Sequence, residues 1–518
     1  MLPVIVLGAG PVGLGAALEL ARCKVPSILI ERNATTSWHP KSRHFNTRTM
    51  EIARGWGRDF YQELCALDVP PEWKPLLQIK SCAPEVKVGS MDSRVLMEAE
   101  VAISPVNSMM SSQDQIEPVM LRQVRRSNQV DVRFNHEMIE FVRGDAPDDE
   151  GVAIRVRNQI TGEINTVHGS ALVAADGACS AVRSVLQMPM HGTARLAHYI
   201  HCCFLADLEQ HVCQPSGVPL TIDSEHNPGL LQPLDDQGRW SCQISVPEHE
   251  WSTSIFTPDR CVQWVRDAAG LPDLEIQVLS IGTWQVNALV AEQFVVENVV
   301  LMGDAAHMSA QGVNVGLQGM HNVIWKLALW LRGKAGRRLL ETYTTERRPH
   351  AKWAADRCLH TKLDCDDQHG LELGNLYESR AVCPDWSAPP AVLNPCTDYV
   401  PTGRPGHRAP HVWLRHGQDQ LSTLDLWGPE FTVLAGPQGN DWASTVKVLA
   451  EQMQLEMGFH LIGGLGWVDE DNTFLQRYGL QVDGAVLIRP DGYVAWRSPQ
   501  WSEEATYQLM AALQRILF

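Results

Sequence analysis

Pro3 to Leu7 is an apolar run of the kind that buried parallel strands require. Gly8-Ala-Gly10-Pro11-Val12-Gly13 follows it directly, and an Ala/Leu-rich stretch to about Arg22 reads as a helix. A second apolar run, Ser27 to Ile30, ends in Glu31-Arg32. Two similar strands lie further on. One opens the segment Ala171 to Arg183 and turns at Asp176-Gly177; the other starts at Val299 and turns at Gly303-Asp304. A helix is expected from about Val315 to about Leu331, through Asn322, Trp325, Lys326 and Leu327. His198 to Leu208, Leu230 to Leu234 and Arg239 to Val246 read as further strands.

The pattern changes at a Pro-rich stretch, Cys383 to Pro410, which reads as a linker into a new fold. Beyond it come apolar pieces at Val412 to Leu414 and Leu424 to Gly428, then a strand at Phe431 to Ala435 and a helix at Trp442 to Met457. Two strands around Pro490-Asp491-Gly492 and an amphipathic helix from about Ser502 to Leu517 end the chain. This order predicts an α/β unit over residues 1–390, α+β over the whole chain, with a separate module at 391–518. Segments at about 70–105 and 190–285 fit neither nucleotide motif and are expected to form an inserted antiparallel substrate sheet.

Composition narrows the function. Lys plus Arg is 43 against 60 Asp plus Glu, a net charge of −17, so no nucleic-acid partner is expected. No apolar run is long enough for a membrane span. The first residues lack a basic flank, so no signal peptide is expected, and thirteen scattered cysteines without a CxxC point to a reducing, cytoplasmic setting. Cys358, His360, Cys365 and His369 have no zinc spacing, so no metal site is expected.

The chemistry begins at the first turn. In a strand–turn–helix–strand unit, Gly8, Gly10 and Gly13 let the backbone approach a pyrophosphate that sits on the helix N-terminus at Pro11-Val12. Glu31, with Arg32 beside it, stands where a carboxylate would take a ribose diol. Dinucleotide binding follows, without a choice between NAD and FAD. A carboxylate at a strand end, such as Asp176 or Asp304, can hold a polyol chain, and a helix N-terminus can stabilise negative charge on a flavin ring.

With these three segments in this order, the chain resembles the class A flavoprotein monooxygenases of the phenol hydroxylase and polyketide hydroxylase type. Ser42-Arg43, Arg48-Thr49-Met50-Glu51, Ser112-Gln113 with Glu117-Pro118, and Glu346-Arg347-Arg348-Pro349 match the same family. The segments RPGHRAPH (404–411) and GAVLIRPDGYVAWR (484–497) resemble its thioredoxin-like C-terminal domain, here without any cysteine after residue 400, so disulfide exchange is not expected of it. The resemblance implies a Rossmann-like FAD-binding domain. FAD contacts are implied at Gly8, Gly10, Gly13, Glu31, Arg43, Gln113, Gly303, Asp304, Gly312 and Asn314, with Asp176 and Arg183 serving both FAD and a nicotinamide. It further implies NADPH or NADH as reductant, O2 as co-substrate, oxygen transfer through a flavin C4a-hydroperoxide, a small aromatic or polycyclic substrate, and a homodimer as one possible assembly. No catalytic base is assigned. Tyr199, His201, Trp240 and Trp284 are pocket candidates; Tyr199 and His201 would share one strand face and His198 the other.

The chain departs from the family at Met308 to Val313, which replaces a longer proline- and glycine-rich loop; Gly319 replaces an Asp, and Cys179 an Arg. Three readings stay open on these residues: hydroxylation with a rearranged loop, a flavoprotein fold shaping or cyclising an intermediate without redox chemistry, and an incorrectly spliced or internally deleted gene model.

Overall fold

The computed structural model describes residues 1–73, 103–142, 151–208, 211, 220–222, 228–309, 312–358, 369–464 and 466–518. Most of the expected platform segment at 70–105, together with His360, Cys365 and Gln311, lies outside them.

Four short apolar strands stack in parallel because both of their faces are buried. Val4–Leu7 lies between Ser27–Ile30 and Ala171–Ala174, and all twelve of these residues are buried. Val4 is level with Ser27 on one side and Ala171 on the other. The full order is Val295–Val296, Val299–Leu301, Ala171–Ala174, Val4–Leu7, Ser27–Ile30 and Val130–Arg133. Only Val295–Val296 runs antiparallel to its neighbour, Val299–Leu301. The chain builds outward from Val4–Leu7 on one side, then returns to build on the other. That reversal opens a crevice at the carboxyl ends of the strands, where such sheets bind ligands. Gly8, Glu31, Asp176 and Asp304 all follow those carboxyl ends.

The second sheet is antiparallel throughout, ordered Leu220–Ile222, Gly229–Pro233, Arg239–Ser245, Met190–Leu205, Gln277–Ala291 and His307–Met308. One face is apolar. Ile200, Cys202, Phe204, Trp240, Cys242 and Ile244 pack there against the helix Pro258–Ala269. Trp240 therefore belongs to this core and not to the pocket. The last strand belongs to the Gly303-Asp304 segment, since His307 pairs with Val290 and Met308 with Leu289. The two sheets are thus wired together beside Asp304.

The tail forms a four-stranded sheet, Met457–Leu461, Phe431–Ala435, Ala485–Ile488 and Val494–Ser498, flanked by the helices Asp441–Met453 and Ala505–Leu517. One parallel pair next to an antiparallel hairpin is the thioredoxin-like arrangement. The helix expected to reach Met457 stops at Met453, because Gln454 takes a left-handed conformation with φ of 51°, and Met457 starts a strand. The helix expected from Val315 begins earlier, at Gly312. The Pro-rich stretch is not a free linker. Cys383 donates to Ala495, Gly406 to Val494 and Ala409 to Gly492 through the backbone, and Arg497 holds Asp385. Among the described residues no helix is long and apolar enough to cross a membrane.

Candidate active site

The first glycine turn is built by exclusion. Gly8 has φ of +95°, and a Cβ on it would stand 2.3 Å from the Ala175 carbonyl oxygen. A Cβ on Gly13 would stand 1.9 Å from the Gly8 carbonyl oxygen, so only glycine lets the helix Pro11–Arg22 press onto the strand. Gly10 differs: its nearest neighbour would be Glu117 Oε1 at 4.0 Å, which leaves that side of the turn open. No side chain caps this helix and no acidic residue occupies its first turn. The N–H groups at Val12 and Gly13 therefore form an uncapped positive end, suited to a diphosphate. The Val12 side chain does a different job, lying 3.2 Å from where Gly303 would carry a Cβ and 2.7 Å from the same point on Gly316. It packs the first helix against the segment that holds Asp304.

Glu31 faces the same turn. Its Oε2 accepts from the Ala9 backbone at 2.8 Å, and its Oε1 from the Asn33 backbone at 2.9 Å and side chain at 2.7 Å. Arg32 beside it is exposed.

The two later acidic turns are tied to each other. Arg183 donates to the carbonyl oxygens of Asp304 at 3.3 Å and Ala305 at 3.2 Å. Asp176 accepts from the Val182 backbone through Oδ2, while its Oδ1 is buried without a partner. Asp304 is open on one side yet lies deep in the protein. Burial raises its carboxyl pKa, with Lys41 and Arg183 opposing. A Cβ on Gly312 would stand 3.0 Å from Asp304 Oδ1, so the helix Gly312–Leu331 starts hard against this carboxylate.

Asn314 is saturated by the scaffold. It accepts from the Asn46 backbone at 3.0 Å and Thr49 Oγ1 at 2.8 Å, and donates to the His44 carbonyl at 3.0 Å. Gln113 accepts from the Ser42 backbone at 3.3 Å and donates to Glu117 at 2.6 Å. Arg43 is the unfinished group. It donates to Gln232 at 3.1 Å, but its Nε and Nη2 are buried with no partner. Burial pulls its pKa down to about 10. Buried guanidinium N–H groups are seldom left idle. These, the orphan Asp176 oxygen and the uncapped helix are what a flavin dinucleotide would satisfy, so the residues fit FAD.

The polar face of the second sheet lies opposite Arg43. Gln232, its partner, also donates to Ser241 at 3.1 Å. Asp114 holds Arg239 at 2.6 Å. Tyr199 stacks on Trp284 with ring centroids 4.9 Å apart, and His201 meets His39 edge-to-face at 4.7 Å. His198 packs on Trp251 across the strand, as alternation requires.

Motifs without an obvious chemical role in the sequence pair off across the tail. Glu51 is clamped by Arg408 from the tail and by Arg48 at 2.9 Å. Glu346 accepts from Arg489 at 2.6 and 2.8 Å, from Lys326 at 2.7 Å and from Asn322 at 2.6 Å. All of these side chains are buried, so the helix that begins beneath Asp304 is held at its middle by an ionic network from the tail. Arg489 and Lys326 drive the Glu346 carboxyl well below its usual range against the effect of burial, and burial lowers Lys326 to about 8.

At Gly319 a Cβ would stand 3.2 Å from Tyr343 Oη, so the tyrosine fills the space an Asp would need. Cys179 is exposed, and Cys358 donates to the Ala354 carbonyl of its own helix. Sequence reasoning did not single out His39, Lys41 or Gln232. His39 and Gln232 gain weight from contacts between the nucleotide half and the second sheet, and Lys41 from its charge near Asp304, none of which leaves a local signal.

Comparison with known proteins identifies the family. A family model described as an FAD binding domain matches residues 1–358, and one described as aromatic-ring hydroxylase, C-terminal, matches 402–517. The chain is 35% identical to tetracenomycin A2 monooxygenase-dioxygenase of Streptomyces glaucescens, over 99% of this chain and 96% of that protein. It is 31% identical to an aklavinone 12-hydroxylase of Streptomyces purpurascens, over 99% and 98%. Its fold matches the crystal structure of the flavin-dependent monooxygenase PieE in complex with FAD and substrate, with a TM-score of 0.89, 27% identity and 99% of both chains covered. It also matches an aklavinone-11 hydroxylase with FAD and aklavinone, with a TM-score of 0.88, 29% identity, and 100% and 99% covered. These matches, over a chain that joins a glycine turn and unpaired buried donors to a thioredoxin-like tail locked to the nucleotide half, show that it belongs to the family of FAD-dependent aromatic-ring and polyketide hydroxylases.

Proposed function

We propose that the protein is a single-component hydroxylase that consumes NAD(P)H and O2 and adds one hydroxyl group to a flat, polycyclic phenol of the polyketide type. The balance is one NAD(P)H, one proton and one O2 per substrate, giving NAD(P)+, water and the hydroxylated product. Bound FAD supplies the electron transfer and dioxygen activation. The observation that carries the reading is the position of Arg43, with two buried unpaired nitrogens, between the glycine crevice and the polar sheet face through Gln232. The names of the relatives support the substrate class.

The protein's own residues bind, orient and exclude water. The helix end at Val12-Gly13 seats the diphosphate, Glu31 the adenosine ribose and Asp304 the polyol chain. Gly312 and Asn314 would lie along a bound flavin, and Arg43 and Gln113 would border it. Asp176 and Arg183 are assigned to the dinucleotide crevice and to the visiting nicotinamide. Tyr199 and Trp284 offer an aromatic wall to a planar substrate.

The test is to purify the protein, record its visible spectrum, and add NADPH or NADH in air with a panel of phenolic polyketides. Substrate-stimulated consumption and a product heavier by one oxygen are expected. A bound flavin that no nicotinamide reduces would sink the proposal in favour of non-redox chemistry on the shortened segment 308–313.

A further inference from the structure

His39 reaches the second sheet from the nucleotide half, and the sheet has been cut to receive it. Its Nδ1 lies 2.8 Å from Ser280 Oγ. Its Nε2 lies 2.9 Å from where a Cβ on Gly282 would be, so no other residue type fits at 282 without moving the ring. His201 is the cross-strand partner of Gly282, and its ring meets His39 at 4.7 Å and 78°. His201 is 5% exposed, and its Nε2 is buried with no hydrogen-bond partner. The Tyr199–Trp284 stack stands on the same face, two residues along each strand.

Burial lowers His201 to about 3, with the neighbouring His39 adding to it, and lowers His39 to about 4, with Lys41 adding. Both rings are then neutral at physiological pH, each with one donor and one acceptor nitrogen. A phenol hydroxyl titrates near 10, like tyrosine. A buried imidazole held neutral in this way is a weak base toward such a hydroxyl. What a neutral ring with an idle nitrogen can do is hold a hydroxyl in place.

Resting on the hydroxylase reading above, we propose that His201, braced by His39 on Ser280 and Gly282, is a specificity-determining residue that hydrogen-bonds a hydroxyl group of a planar polycyclic phenol lying against the Tyr199–Trp284 wall. A hydrogen bond lost inside such a pocket leaves the idle nitrogen stranded again, so discrimination between a hydroxyl and its methyl ether is expected to be strong.

The experiment is a binding titration on the FAD-loaded full chain, read from the flavin absorbance, with emodin and its trimethyl ether as probes. The wild-type protein is expected to bind emodin at least about tenfold more tightly. His201→Leu should erase that preference while the flavin content stays at the wild-type level, and His201→Gln should restore part of it. Gly282→Ala, which displaces His39 without touching His201, should weaken it to an intermediate value. An undiminished preference in His201→Leu overturns the proposal, as does binding of neither probe by the wild type. The hydroxylase reading fails separately. If emodin binds with the expected preference but no aromatic compound stimulates NAD(P)H consumption, that reading falls and the histidine assignment stands.

Discussion

Burial raises the Asp304 carboxyl pKa and Lys41 and Arg183 pull it back, so a ligand that donates hydroxyl hydrogen bonds would settle it as an anion. Replacing Asp304 by Ala should lower flavin content per chain at least about tenfold with the fold intact. An unchanged ratio of flavin to protein absorbance would contradict the assignment. Glu31 is a milder case, because Ala9 and Asn33 already occupy part of its carboxylate. Glu31→Ala should weaken FAD retention less than the Asp304 change, and equal or larger loss in a flavin-release assay would reverse the ranking.

Elements decide where such residues stand. The helix Gly312–Leu331 is pinned at its start by Asn314, which serves three partners at once. Asn314→Ala strands a backbone N–H and a hydroxyl in the interior, and should cost about 2–4 kcal/mol, read as a lower denaturant midpoint. No change in the midpoint would show that the pin is dispensable. How far such elements are legible in the sequence follows from their physics. Val4–Leu7 and Ser27–Ile30 are legible because a strand buried on both faces is apolar throughout and the glycines beside it have no alternative use. The end of the helix Asp441–Met453 is not legible, because the apolar pattern runs on through Leu455 and the stop is a left-handed Gln454 instead of a glycine. The pocket face is legible only as alternation. Tyr199 and His201 share a face as expected, but what they face depends on the register that sets His201 against Gly282 and on His39 arriving from the loop that follows Ser27–Ile30. Trp240 has the same local appearance as Trp284, and register alone puts one in the core and the other on the pocket face.

At the scale of the whole molecule, the tail and the nucleotide half share buried ions. Arg489→Met would leave Glu346 and Asp491 without their main counter-ion, and breaking a buried pair in this way should cost about 3–5 kcal/mol. Thermal unfolding should show it as a large fall in Tm; a change within error would mean that the network is not what joins the two parts. Buried histidines give a second global prediction. Burial lowers His39 to about 4 and His201 and His307 to about 3, whereas the unfolded chain titrates them near 6.5. The unfolded state therefore takes up protons that the folded state refuses, so stability is complete above about pH 6.5 and is lost as pH falls toward 3–4. Tm should decline steadily between about pH 7 and pH 5, and a flat profile would contradict the burial of these rings. Oxygen insertion into an aromatic compound is the activity that the proposed function assigns to the nucleotide crevice and the polar sheet face together. The most direct measurement is the mass of the aromatic product formed with NADPH under isotopically labelled dioxygen. One labelled oxygen atom per product molecule is expected. Labelled peroxide equal to the NADPH consumed, with the aromatic compound recovered unchanged, would contradict it.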